Sequence, residues 1–200
     1  PKARLGPPTP NRRDRMANFT KQAIKSSFLK LLNEKPLNRI SVRDIVEDCG
    51  INRNSFYYHF QDIPALLTEI ITDETDRLIA AYPSIGSLDE CFAVAFQFAK
   101  DNRRAVSHIY HSVNWDIFER SAMKLCGYVV ETYLDTAFPD RRLPQEDRQV
   151  LVRFLKNQLF GMSVDWICGG MQDEALEELK RALELCRGMP ELILRNAKER

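Results

Sequence analysis

The chain has no Cys-x-x-Cys pair, no Gly-x-Ser-x-Gly elbow, no phosphate-cradling glycine loop and no His-Glu-x-x-His run in its 200 residues. Each absence removes a class of chemistry: compact zinc or thiol redox sites, α/β hydrolases, nucleotide-hydrolysing loops and zinc proteases, in that order. No catalytic residue is assigned, no cofactor is expected, and the chain is read as a non-enzyme. His108 and His111 stand three apart and offer half of a metal site, but no cysteine or carboxylate is placed to complete it, so no metal is expected. The sequence holds no apolar run of about 18 residues and no signal-peptide pattern, which points to a soluble, cytoplasmic protein. The five cysteines (Cys49, Cys91, Cys126, Cys168, Cys186) are odd in number and scattered. All but Cys168 fall in apolar helical phases, as reduced core thiols do. There is no internal repeat and no convincing strand.

With 44% hydrophobic residues the chain can build one sizeable core, or a small domain joined to a larger one. Its net charge of +1 hides an uneven distribution. Residues 1–62 hold 12 Lys and Arg against 6 Asp and Glu, net +6, whereas residues 63–200 hold 17 against 22, net −5. A basic head on an acidic body is the electrostatic footprint of a nucleic-acid module attached to something else.

The periodicity predicts an all-α chain of about nine helices. Residues 1–15 carry four prolines and five basic residues without apolar spacing. They read as a flexible basic extension, either an arm for DNA or a remnant ahead of Met16. A first helix over about 17–33 puts Phe19, Ile24, Phe28 and Leu32 on its core face. Residues 16–62 then form a three-helix domain and residues 63–200 a helical body. Asp62 caps a fourth helix that carries Pro64 early, where its missing N–H costs little. Ser87 with Glu90 opens the next as a capping box.

The stretch Ser41–Phe60 organises the head. Ser41 and Asp44 suit a helix start, and Val42, Ile45, Val46 and Cys49 share one face. Gly50 suits a left-handed stop and Asn52 caps a second helix at once. Two short helices about a tight turn make a helix-turn-helix. On the second, Phe56 and Phe60 point inward, while Arg53, Asn54, Tyr57 and Tyr58 fall on the other side. There Arg and Asn address base edges, and phenols or His59 reach phosphates. An ordinary solvated polar face is the plain alternative, but solubility alone explains two adjacent exposed tyrosines poorly.

Ser41-Val42-Arg43-Asp44-Ile45, Cys49-Gly50-Ile51, Ser55-Phe56-Tyr57-Tyr58-His59-Phe60 and Leu66-Leu67 together resemble the N-terminal signature of TetR-family transcriptional regulators. The resemblance covers about residues 19–71, and the remainder is similar in helical pattern and length. It implies that Arg43, Asn52, Arg53, Asn54, Ser55, Tyr57, Tyr58 and His59 occupy DNA-contacting positions. Family members often carry lysine just after the position of Phe60; Gln61, Asp62 and Ile63 stand there in this chain. That departure leaves the phosphate contact at the start of the fourth helix to backbone N–H groups, or absent.

For the body, two readings stand side by side. Phe92, Phe96, Tyr110 and Trp115, with Phe118 and Tyr133, are either plain core or the lining of an effector chamber, with His111 among its polar groups. The resemblance favours the chamber. A stripe of Leu155, Leu159, Met162 and Trp166, continued by Leu176, Leu179 and Leu183, either closes the monomer or forms a four-helix interface with a second copy. Two-fold symmetry suits a palindromic operator on double-stranded DNA. The expected function is a homodimeric repressor released by a small-molecule effector. The run Gly161-Met162-Ser163-Val164-Asp165-Trp166 to Gly170-Met171 resembles a subset of the family that includes regulators of dihydroxyacetone utilisation. It implies the alternative, a regulator or activator controlled by a partner protein.

Overall fold

The computed structural model describes residues 12–112, 114–137, 139 and 143–185, together with Gly188, Met189, Leu192, Arg195 and Asn196. The described residues form nine α-helices and no strand. They fall into two compact units, residues 1–67 and 68–200.

The first unit holds α1 (Arg12–Glu34), α2 (Val42–Cys49), α3 (Arg53–His59) and the opening of α4 (Ile63–Ala81). Ile24, Phe28, Leu32, Ile45, Phe56 and Leu66 are fully enclosed and form its core. Completely burying a side chain of this size is worth roughly 1.5–3 kcal/mol, so these few residues dominate the unit's cohesion. Polar contacts set the seating of α2 on α1. The buried Ser27 hydroxyl donates to the Ile45 carbonyl at 3.2 Å, Lys30 pairs with Asp48, and Lys35 lies 3.2 Å from Asp44.

Two expectations for α1 fail. The helix begins at Arg12, five residues ahead of the expected start near residue 17, and arginine is a good helix former. Residues 1–11 lie outside the described part. Phe19 is 78% exposed instead of facing the core, because it stands five residues before Ile24, roughly 140° around the helix. A single 3₁₀ turn over Leu37–Arg39, with Leu37 buried, links α1 to α2.

The second unit comprises the rest of α4, α5 (Leu88–Asp101), α6 (Arg103–Tyr110), α7 (Trp115–Ala137), α8 (Gln145–Cys168) and α9 (Asp173–Leu185). Helices α7 and α8 pack along each other most extensively, with α5 against both. Their shared core runs through Leu78, Val94, Leu125, Val129, Leu134, Leu151 and Leu159. The Tyr128 hydroxyl donates to the Tyr82 carbonyl at 2.8 Å, satisfying an acceptor just past the end of α4. At the start of α5 the Ser87 hydroxyl accepts from the Glu90 N–H at 3.1 Å. The Glu90 carboxylate accepts from Gly86, one residue earlier than a capping box requires.

Candidate nucleic-acid interface

Local chemistry fixes both ends of the helix pair. The Ser41 hydroxyl accepts from the Asp44 N–H at 3.2 Å, and the Asp44 carboxylate accepts from the Ser41 N–H at 2.8 Å. The bonds from Ser41, with Lys35 behind them, hold the Asp44 carboxyl down at about 2. Gly50 ends α2 at φ 68°, and the Ile51 N–H reaches the Val46 carbonyl at 3.0 Å, closing the helix as a Schellman turn. Asn52 follows as the α3 cap: its side-chain oxygen accepts from the Ser55 N–H at 2.8 Å and from the Ser55 hydroxyl at 3.1 Å. Only Gly50, Ile51 and Asn52 separate the two helices, so the angle between them is set by capping rather than by a loop.

Phe56 is fully buried and its ring lies 5.9 Å from that of Phe60, which anchors α3 inward. The Lys21 ammonium sits 5.5 Å above the Phe60 ring. The opposite side is open: Arg53 and Asn54 are exposed, Tyr57 is 53% and Tyr58 79% exposed, and His59 is half-buried with its ring edge-on to Tyr58 at 4.9 Å. An exposed phenol pair is costly in solubility and useful against a sugar–phosphate backbone. Arg43 is also exposed on α2, where its Nε meets Glu47 Oε1 at 2.6 Å; that carboxylate holds the guanidinium pKa above its ordinary value. Such an exposed pair exchanges readily for another acceptor.

The eight residues do not all carry the same freedom. Arg43, Arg53, Asn54, Tyr57 and Tyr58 are each exposed. Asn52 and Ser55 are engaged with each other in the cap, so Asn52 keeps its amide nitrogen for a ligand while its oxygen is committed.

In the second unit, the aromatic residues separate into three places. Phe96 and Phe118 line a partly open chamber of about 40 Å³ with Leu125, Cys126, Val164 and Trp166. Tyr133 is in the α7–α8 core and does not reach that chamber. Tyr110 and Trp115 stack edge-on at 4.7 Å, Trp115 lies over Phe118 at 5.0 Å, and His111 is exposed beside Tyr110. The Phe92 side chain lies outside the described part. The chamber is mainly apolar, with Glu74, Thr75, Ser121 and Ser163 among its walls, and is built from α4, α5, α7 and α8, whereas sequence spacing gathers residues of α6 into it. Among the described residues, no group of three or more His, Cys, Asp and Glu is arranged to hold a metal ion, and no helix is long and apolar enough to cross a membrane.

The stripe assigned to a second copy also divides. Leu159 and Trp166 are buried inside the protomer. The Trp166 ring packs 4.8 Å from Phe96 and its Nε1 donates to the Gln172 carbonyl at 3.0 Å. Leu155 and Met162 are half-buried, and the side chains of Leu176, Leu179 and Leu183 lie outside the described part. The apolar groups that α8 leaves open are Val150 and Phe154, 69% and 53% exposed. They stand roughly 120–180° around the helix from Leu159 and Trp166.

Residues 29–70 match the family model described as bacterial regulatory proteins of the tetR family, and residues 86–188, just over half of the chain, match the transcriptional regulator C-terminal region. No curated protein matches the sequence. Among solved structures, the dihydroxyacetone kinase operon activator DhaS is similar at 19% identity and a TM-score of 0.66, covering 90% of this chain and 97% of its own. A TetR transcriptional regulator from Streptococcus agalactiae is similar at 19% identity and 0.60, over 86% and 96%. NalD, described as the secondary repressor of the MexAB-OprM multidrug efflux pump in Pseudomonas aeruginosa, is similar at 16% and 0.52, over 83% and 96%. Both halves of the sequence are thus covered by models of one kind of regulator, and the chain belongs to the TetR family of DNA-binding transcriptional regulators.

Proposed function

We propose that the chain acts as a homodimeric repressor that reads a palindromic operator through α3 and releases it when a small effector enters the second unit. The observation that carries the reading is the exposed face of α3, where Arg53, Asn54, Tyr57 and Tyr58 project from a helix capped at its start and anchored by Phe56. Arg43 and Asn54 act on base edges; Tyr57 and His59 hold phosphates. Two copies must place their recognition helices about 34–36 Å apart to enter successive major grooves. An effector that prefers a different separation lowers affinity by its differential binding to the two states, with α4 as the lever.

The second copy docks on the open side of α8. Val150 and Phe154 lie on that side, and so does Gly161, where an added Cβ would meet nothing within 4 Å. A mid-helix glycine costs about 1 kcal/mol relative to alanine, and it admits the close approach of another helix. Sedimentation tests this: Phe154→Glu places a charge in a desolvated interface and should yield a folded monomer with weakened operator binding. A variant that remains dimeric moves the interface elsewhere.

A second reading is favoured by two observations. The DhaS neighbour is described as an operon activator, and a chamber of about 40 Å³ holds only about three water-sized groups, too little for a bulky effector without repacking. In this reading a partner protein supplies the signal. NalD, with the same fold, is described as a repressor, so the fold leaves the sign of regulation open. Transcription from the bound promoter, with and without the regulator, separates the two signs.

A further inference from the structure

We propose that the second unit binds a small carboxylate with a short apolar tail, its head in an outer groove between α4 and α7 and its tail in the chamber behind. The proposal deepens the small-effector reading and rests on it for any regulatory consequence; the binding itself is tested separately.

The outer groove is open to solvent and has a volume of about 240 Å³. On the α4 side it presents Thr68, Thr72 and Thr75, spaced by four and three residues and therefore on one helix face. On the α7 side it presents Ile117, Ser121 and Lys124 with the same spacing, and Arg120 beside Ser121. A space bordered by hydroxyls and two cations, with no acidic residue in its lining, favours an anion over a neutral or cationic group. A carboxylate gains charge-assisted hydrogen bonds from both Arg120 and Lys124.

The cations are already partnered, but loosely. Lys124 lies 2.7 Å from Asp76 and Arg120 3.2 Å from Asp116, and all four side chains are more than half exposed. Exposed pairs of this kind contribute little and exchange partners readily. Inside, Glu74 borders the chamber, and its charge is answered by Arg77 on the next turn of α4.

Thr75 and Ser121 border both spaces, so the groove and the chamber adjoin at these two residues. Behind them the walls are Phe96, Phe118, Leu125 and Trp166. The chamber's 40 Å³ accepts about three water-sized groups, which sets the tail at about three carbons. Polarity and size together select a four- or five-carbon monocarboxylate over a bare inorganic anion or a long fatty acid.

Titration calorimetry of the full chain with acetate, butyrate, pentanoate, hexanoate and octanoate tests this, with pentanamide and inorganic phosphate as controls. Affinity should rise about fourfold per added carbon up to pentanoate and then stop rising. Pentanamide should bind at least tenfold more weakly, and phosphate no more tightly than acetate. Arg120→Gln with Lys124→Gln, both exposed and harmless to folding, should lower pentanoate affinity at least tenfold. Val164→Phe should abolish the gain with chain length and leave acetate unchanged. Equal binding of pentanamide and pentanoate, undiminished binding in the double variant, phosphate binding as tightly as pentanoate, or no binding by any carboxylate would each overturn the proposal. Operator affinity measured with pentanoate present is a separate readout: binding that leaves it unchanged keeps the site and removes the effector-release reading.

Discussion

Replacing Gly50 tests the turn on which the head depends. Gly50 sits at φ 68° and ψ 32°, the left-handed region, and an added Cβ would meet nothing within 4 Å. The cost of Gly50→Ala is therefore backbone strain alone, about 1–2 kcal/mol. Gly50→Asn should cost less, since asparagine visits this region, and Gly50→Val more, since a β-branched residue avoids it. For a unit of 60–100 residues each kcal/mol moves the melting temperature by about 4–8 °C, so alanine should lower the first unit's transition by about 4–16 °C. Scanning calorimetry of the full chain on the three variants reads this directly. Equal losses for Asn, Ala and Val would refute the reasoning, because they would show that φ does not set the cost. A loss above about 4 kcal/mol for alanine would also refute it, since that requires a clash the open space excludes.

Trp166→Glu should unfold the second unit rather than yield a monomer, because it removes a buried ring, worth about 3–5 kcal/mol on truncation, and strands the Gln172 carbonyl; circular dichroism decides. Tyr57→Phe should weaken DNA binding about equally on all sequences, as a phosphate contact does; a loss confined to one operator would indicate a base contact. The Asp44 carboxyl ordinarily titrates near 3.8 and is held at about 2, so its stabilisation is complete above pH 4 and lost as pH falls toward 2. The stability difference between the parent chain and Asp44→Asn should shrink over that window, and a constant difference would contradict the pairing. Burial pushes the Cys126 thiol up to about 12 while Cys168 is exposed, so iodoacetamide at pH 8 should label Cys168 and spare Cys126, as read by peptide mass mapping.

What proved legible in the sequence was set within four residues of chain. Ser41 with Asp44, Gly50, Asn52 and Asp62 each cap a helix as their types dictate, since a cap needs only its own turn; Asp62, for example, accepts from the Ala65 N–H at 2.7 Å. The periodicity of α3 likewise separated Phe56 from Tyr57 and Tyr58 correctly. The body was less legible because α8 carries apolar residues on more than one side. Leu159 and Trp166 face inward while Val150 and Phe154 face out, and no period in the sequence distinguishes the two stripes. The chamber depends on which helices α7 and α8 meet, so Tyr133 and Tyr110 were grouped with Phe96 by residue type and separated only by packing. The outer groove pairs residues 68–75 with residues 117–124, a juxtaposition that no local pattern records.

The central claim is that the exposed face of α3, with Arg43 beside it, reads a two-fold-symmetric DNA sequence. Selection of binding sites from random duplexes, run on the parent chain and on Asn54→Ala and Arg43→Ala, tests it most directly. The account predicts enrichment of a palindrome whose half-sites lie about 34–36 Å apart. Each variant should relax preference at particular base pairs and lose roughly 1–3 kcal/mol on the preferred site. Absence of any enriched sequence, or unchanged preference in both variants, would contradict it.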